Sequence, residues 1–259
     1  MRISVLTENH AGSITLAEHG LSYLIESDSK RILFDTGQSD IFLRNAGVMN
    51  ISMRNIDIVI LSHGHFDHGN GLEYLEGGRL ICHPGCFERR FRGKDRSYMG
   101  LRDTKDVLSR KFELITSSEP YEISKKIFFL GEIPRLTDFE SNTTSFVFEN
   151  GTPDYVSDDS AVAFMLPEGL FVVTGCGHSG IVNTLEYSKR VTGVNNLFGI
   201  MGGFHLKETD LQLKETIKYL KTNRINHVYP SHCTELPALS SFYDNFKIRK
   251  VKTGDILDF

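Results

Sequence analysis

Ser62-His63-Gly64-His65-Phe66-Asp67-His68-Gly69 sets three imidazoles and one carboxylate within six residues, directly after the apolar run Ile58-Val59-Ile60-Leu61. Neutral imidazole and carboxylate are donors that Zn²⁺ and related divalent ions take at about 2.0–2.2 Å. Four such donors on one short loop cannot converge on a single ion with good tetrahedral geometry. Alternate residues point in different directions, so the spacing predicts two ions: His63 and His65 serve one while Asp67 and His68 turn toward the other. Two ions about 3.5–4 Å apart polarise a phosphoryl or carbonyl oxygen and neutralise a leaving group. The plainer alternative is a solvated polar loop, but with 10 His in 259 residues chance seldom assembles H-x-H-x-D-H.

Further strand-like runs end in residues able to join such a centre. Phe34-Asp35-Thr36-Gly37 ends one with a carboxylate suited to orienting a metal-ligating His, or simply to opening a turn before glycine. Leu170-Phe171-Val172-Val173-Thr174 delivers Cys176 and His178 into the turn Gly175-Cys176-Gly177-His178-Ser179-Gly180. Small neighbours there let backbone approach a ligand, and the following helix offers N–H groups to an anion. His178 is read as a ligand, against a satisfied core residue. His232, beside Cys233 after Asn226-His227-Val228-Tyr229-Pro230, is read as a ligand, and His227 inside that strand as structural. His205 in Gly202-Gly203-Phe204-His205-Leu206 is a candidate to contact substrate or donate a proton, with packing as the alternative. The basic stretch with Arg90, Arg92, Lys94 and Arg96 is either a solvated surface or a clamp for an anionic substrate.

These loops need elements to carry them. Short apolar runs bounded by Gly, Asp and Asn alternate with helix-like segments, without internal repeat or linker, which predicts one mixed α/β domain over 1–259. Strands are expected at about 2–7, 20–26, 31–35, 57–61, 79–83, 112–115, 127–130, 144–149, 161–166, 170–174, 197–201, 226–229 and 247–251. Helices are expected at about 39–47, 208–221 and 236–244, with others starting near 69 and 179. Residues 84–112, charged, aromatic and weakly periodic, read as an insertion or lid. The chain falls into two βα-rich halves, which suggests a site between them at the carboxyl ends of strands.

A chain of this length buries a sizeable core without a disulfide. The net charge of −4 gives no global basic footprint for nucleic acid. No apolar run approaches membrane-spanning length. Met1 to Leu6 shows no export leader, so Cys82, Cys86, Cys176 and Cys233 are expected as reduced thiols in a cytoplasmic protein.

Taken in order over nearly the whole chain, Phe34-Asp35-Thr36-Gly37, the H-x-H-x-D-H loop, Thr174-Gly175-Cys176-Gly177-His178 and Pro230-Ser231-His232 resemble the metallo-β-lactamase superfamily. The resemblance implies a four-layer αβ/βα metallo-β-lactamase sandwich, α/β or by some schemes α+β, with a dinuclear site at one edge. More narrowly, Glu18-His19-Gly20-Leu21-Ser22, Gly131-Glu132-Ile133-Pro134-Arg135 and Gly202-Gly203-Phe204-His205-Leu206 are similar to a subfamily labelled 7,8-dihydropterin-6-yl-methyl-4-(β-D-ribofuranosyl)aminobenzene 5′-phosphate synthase. Cys176 stands where members typically carry a carboxylate bridging the metals. His178 follows the strand that the third-motif His usually precedes, and Asp158-Asp159 occupy the earlier region. Cys176 as a thiolate ligand, Asp159 as the third-motif residue and hydroxide as the sole bridge all stay open. The resemblance favours His63, His65 and His178 for one ion, with Asp67, His68 and His232 for the other.

The activity implied first is metal-dependent hydrolysis of a phosphoester or other ester, with Asp67 orienting the water or handling its proton and His205 as a second catalytic candidate. Arg90, Arg92, Lys94, Arg96, Arg135 and His19 would face a small anionic substrate. Two divalent ions are implied, zinc first, with manganese or iron as alternatives. One competing reading is condensation of a pterin with a ribofuranosylaminobenzene phosphate, displacing pyrophosphate, with Phe66, Tyr98 and Phe204 stacked on a flat ring. The other is an iron-based redox or ligand-binding protein, hinted at by Cys82-x₃-Cys86.

Overall fold

Runs of Ile, Val, Leu and Phe too short for helices form the strands, and several are buried along their whole length, Gly169–Thr174 being the clearest case. The computed structural model describes residues 1–259. Its strands are β1 (Arg2–Thr7), β2 (Ser22–Ser27), β3 (Lys30–Phe34), β4 (Ile58–Ile60), β5 (Gly78–Cys82), β6 (Arg90–Arg92), β7 (Phe112–Thr116), β8 (Tyr121–Ser124), β9 (Ile127–Phe129), β10 (Phe146–Phe148), β11 (Pro153–Asp154), β12 (Ala161–Leu166), β13 (Gly169–Thr174), β14 (Leu197–Gly203), β15 (His227–Ser231) and β16 (Ile256–Asp258). The α-helices are α1 (Ile41–Val48), α2 (Phe66–Gly69), α3 (Lys105–Lys111), α4 (Ile181–Thr192), α5 (Leu211–Thr222) and α6 (Leu236–Phe246). No helix is long and apolar enough to cross a membrane.

The chain forms two compact units. The first comprises 1–117, 145–154 and 251–259. Its main sheet has the order β16-β1-β2-β3-β4-β5-β7. Pairing is antiparallel from β16 to β3 and parallel from β3 to β7. Phe42 and Ala46 of α1 enter an apolar cluster with Leu6, Leu24, Leu33 and Val59. Residues 84–112 supply a 3-10 turn (Pro84–Phe87), β6 and α3, and β6 pairs with β10 in a small sheet of order β11-β10-β6.

The second unit comprises 118–144 and 155–250, with one sheet of order β15-β14-β13-β12-β9-β8. Strands β13, β14 and β15 are parallel, so each connection must cross over, and α4 and α5 make those crossovers. Ile181 and Leu185 of α4, Leu213 and Leu220 of α5 and Phe242 of α6 share one core with Val172 and Ile200 of the sheet.

The expected halves are therefore not contiguous in sequence: β10, β11 and β16 lie in the first unit. The strand expected at 247–251 is absent. Lys247 takes the left-handed conformation (φ 53°) that ends α6, and the last strand forms only at Ile256–Asp258 against β1. Its burial pattern of exposed, buried, exposed leaves a single apolar contact inward, which gives a weak signal in the sequence.

Two buried polar devices brace the loops. In the first unit Arg90 and Asp154 are each 1% exposed, with Nε 3.4 Å from Oδ2, and Arg90 also donates to the Gly85 carbonyl. In the second, the Glu140 carboxylate accepts the N–H groups of Val182 and Asn183 at 2.9 Å, capping α4, whose own cap residue Gly180 has no side chain. Burial raises the Glu140 carboxyl above its ordinary value, against the pull of those hydrogen bonds. Asp159, also buried, accepts Ser179 N–H at 2.8 Å and so holds the turn that precedes α4. Burial raises its carboxyl from 3.8 to about 6, opposed by Ser179 and by Arg135.

Two outcomes are expected. Arg90→Ala leaves Asp154 charged and enclosed, and should cost about 3–5 kcal/mol of stability, read as a lower denaturant midpoint at unchanged slope. Because the folded state keeps the Asp159 proton to about pH 6 while the unfolded chain releases it near 3.8, this group's stabilisation is complete below pH 3.8 and lost as pH rises through 6. The difference amounts to about 3 kcal/mol. Metal-free Asp159→Asn should lack that decline; an unchanged slope in a pH series would refute the assignment.

Candidate functional site

In both units the candidate residues sit on loops leaving the carboxyl ends of parallel strands. Asp35 follows β3, the His loop follows β4, Cys176 and His178 follow β13, His205 follows β14, and His232 and Cys233 follow β15. Asp35, His205 and His232 hold positive φ of 57°, 48° and 51°, a conformation that costs a non-glycine residue energy and persists only where the surroundings impose it.

The first unit builds its cluster around Asp35, which is fully buried. Ser62 donates to it twice, by N–H to Oδ1 and by hydroxyl to Oδ2, both at 2.7 Å. His68 Nδ1 lies 2.7 Å from Oδ2, so its proton is held there and Nε2 carries the lone pair. The Ser62 hydroxyl, its proton given to Asp35, accepts from His63 Nδ1 at 2.9 Å, which leaves His63 Nε2 unprotonated as well. That nitrogen lies 2.9 Å from His65 Nδ1. Asp67 Oδ2 is 3.7 Å from His68 Nε2 and 3.1 Å from the Nε2 of the exposed His19. Buried imidazoles with their lone pairs fixed in one direction, beside a carboxylate, fit a divalent cation. Gly64 is required in this loop, because a Cβ there would meet the Cys86 carbonyl oxygen at 2.0 Å.

Beside the loop, Phe66, Asn70, Arg89, Tyr98, Gly100, Leu101 and Arg102 line a pocket of about 440 Å³. Tyr98 packs edge-on to Phe91 with Arg89 over its ring. Arg89 pairs with Glu149 and Arg102 with Glu73 at the surface. Arg89 lies in the basic stretch that the sequence offers as an anion clamp, without being singled out there, and Arg102 lies outside it.

The second unit brings its own residues together. The His178 and His205 rings are 4.3 Å apart. One donor atom each of Cys176, His205 and Cys233 lie within 4.8 Å of one another. His205 N–H donates to Cys233 Sγ at 3.3 Å, and Cys233 donates to the Cys176 carbonyl at 3.4 Å. Burial pushes the Cys233 thiol up, but hydrogen bonds with Cys176 and His205, and the nearby His232, bring it well below its ordinary value. His232 is 7% exposed.

Several expected roles change. Arg90 is enclosed with Asp154 and leaves the anion-clamp set, whereas Arg92, Lys94 and Arg96 are exposed. Arg135 donates to the carbonyls of Ile133, Tyr155 and Val156, bracing its own loop. The α4 N-terminus, expected to receive an anion, already holds Glu140. Phe204 is fully buried against Phe242 and cannot stack on a ligand. Cys82 and Cys86 lie in the apolar core, which removes the sequence hint of an iron site.

A family model described as metallo-β-lactamase superfamily matches residues 16–191. An uncharacterized protein of Methanocaldococcus jannaschii is 36% identical over 92% of each chain. A second protein of that organism, named 7,8-dihydropterin-6-methyl-4-(β-D-ribofuranosyl)-aminobenzene-5′-phosphate synthase, is 34% identical over 100% of this chain and 97% of its own. The crystal structure of Tm1679, described as a metal-dependent hydrolase of the β-lactamase superfamily, superposes with a TM-score of 0.89 at 32% identity, covering 100% of this chain and 99% of that one. Strand-end histidines fixed by a buried carboxylate thus occur on a chain similar to these proteins along its length, with the α+β fold that its sequence motifs led one to expect: the chain belongs to the metallo-β-lactamase superfamily.

Proposed function

We propose that the chain is a metal-dependent hydrolase acting on a small anionic phosphoester or related ester. The observation that carries this reading is the Asp35-centred network, which fixes the lone pairs of His63 and His68 beside His65 and Asp67. The ligand set is the one the family resemblance favours, these four residues with His178 and His232, and the ions are two, zinc first. When bound, they supply Lewis-acid polarisation of a phosphoryl or carbonyl oxygen and a more acidic water. The chain's own residues do the rest. Asp67 takes up the proton of the attacking water at Oδ2, and His19, 3.1 Å from that oxygen, steadies the carboxylate and relays the proton to solvent. The pocket of Phe66, Tyr98, Arg89 and Arg102 accepts a planar group bearing negative charge.

A second reading is synthesis of the pterin–ribofuranosylaminobenzene phosphate conjugate. Its support is the identity, over the whole chain, with the protein bearing that name. The same ions would then assist loss of pyrophosphate from the pterin, whose flat ring suits the Phe66 and Tyr98 pocket.

Purified protein offered phosphodiester and ester probes, and separately both conjugate partners, separates the two: turnover of the probes supports hydrolysis, and conjugate formation without it supports synthesis. Under either reading, His63→Ala with His65→Ala should lower metal content by elemental analysis and turnover by at least about 100-fold. Asp35→Asn, which keeps the shape but loses the charge that holds both ring protons, should weaken metal affinity about 10–100-fold in a chelator competition. Unchanged metal content in the double variant would sink the proposal.

A further inference from the structure

The small sheet of the first unit turns one face toward the His loop. Residues directly opposite on neighbouring strands share a face. Phe146 of β10 stands opposite Arg92 of β6 and Asp154 of β11, and Phe148 opposite Arg90. Phe91, Val147 and Pro153, one position along, point to the other face, as does Tyr98 opposite Phe91. Two contacts set the first face against the site. The Phe146 and His65 rings lie 4.6 Å apart at 49°. Arg90 donates to the carbonyl of Gly85, in the turn whose Cys86 carbonyl closes on Gly64. Phe146 is half-buried, so the ring that backs His65 keeps part of its surface open. Register also sorts the basic residues. Arg90 is enclosed with Asp154, Arg89 pairs with Glu149 and lies over Tyr98, and the Arg96 guanidinium lies over Phe91 and donates to the Phe148 and Glu149 carbonyls. Arg92 is the arginine left beside Phe146 with an exposed side chain. Its pairing with Asp95, at 3.7 Å and half in solvent, holds it weakly.

We propose that Phe146 and Arg92 form a second recognition subsite, on the opposite face of the small sheet from Tyr98, selecting a substrate arm made of a planar ring that bears an anionic group. The ring lies on Phe146 and the anion meets Arg92, whose guanidinium offers a carboxylate or phosphate two parallel N–H donors. This subsite, which rests on the phosphoester reading above, narrows the substrate class to esters with two ring-bearing arms. One arm takes the Phe66 and Tyr98 pocket and the other takes Phe146. The buried Arg90–Asp154 pair then does more than stabilise. It spans from β6 to β11 across β10 and fixes the strand that presents Phe146.

The test offers the zinc-loaded full chain three diesters: dimethyl phosphate, diphenyl phosphate and bis(4-carboxyphenyl) phosphate. Affinity is read as Kd by calorimetry, or as KM where a probe is turned over, so absence of turnover would count against hydrolysis alone and leave the binding comparison standing. The wild type should bind the dicarboxylate most tightly and dimethyl phosphate least. Arg92→Ala should weaken the dicarboxylate about 10-fold while diphenyl phosphate keeps its affinity, and Arg92→Lys should restore part of the loss. Phe146→Leu should weaken both aryl diesters about 3–10-fold relative to dimethyl phosphate. Aryl diesters that bind no better than dimethyl phosphate, an Arg92→Ala loss shared equally by all three probes, or an unchanged dicarboxylate would each overturn the subsite. An equal loss on dimethyl phosphate in Phe146→Leu would reduce that ring to a support for His65 and likewise overturn it. Should Phe146→Leu fail to fold, the variants of the exposed Arg92 still decide.

Discussion

The cluster of the first unit depends on one carboxylate. Asp35 receives Ser62 N–H, the Ser62 hydroxyl and His68 Nδ1, and through that hydroxyl it also sets the ring proton of His63. A buried carboxylate without such donors would be costly, and imidazoles without such an acceptor would be free to turn or to swap tautomers. Each side satisfies the other. The left-handed backbone at Asp35 is maintained by this network together with Asp35 N–H to the Ile60 carbonyl and Thr36 N–H to the His68 carbonyl. Strand end, tautomer and lone-pair direction are therefore one cooperative arrangement.

The second unit uses its buried carboxylates differently. Glu140 and Asp159 accept backbone N–H groups and a neighbouring hydroxyl, and burial holds both carboxyls above the ordinary range, whereas Asp35 also meets an imidazole. Both hold the turn that leads into α4. The capping of α4 by a residue far upstream in sequence means that the anion-receptive end of that helix is already satisfied within the fold.

What the sequence revealed follows from how local each signal is. The His loop and β13 are contiguous, one by ligand spacing and the other by an unbroken apolar run, so both were readable directly. Arg90 was not separable from Arg92 and Arg96, because a basic residue carries no mark of burial until its partner is known, and Asp154 lies on β11, remote along the chain. Glu140 and α4 have the same difficulty. Cys233 looked like a mere neighbour of His232, since its relation to Cys176 and Gly203 exists only once β13, β14 and β15 lie side by side. The end of α6 was misjudged because one residue in left-handed conformation, Lys247, decides it.

The pairing of β16 with β1, Arg2 opposite Asp258, bears on the order of events during synthesis. The outer edge of the first sheet is β1 until residues 256–258 leave the ribosome, and residues 145–154 must likewise arrive before the β6 edge is covered. The second unit, by contrast, draws on 118–144 and 155–250 and has every strand in hand earlier. The nascent chain thus carries β1 as an open edge through most of translation, exposed to pairing with other chains until the three residues of β16 replace it as the outer strand of the sheet.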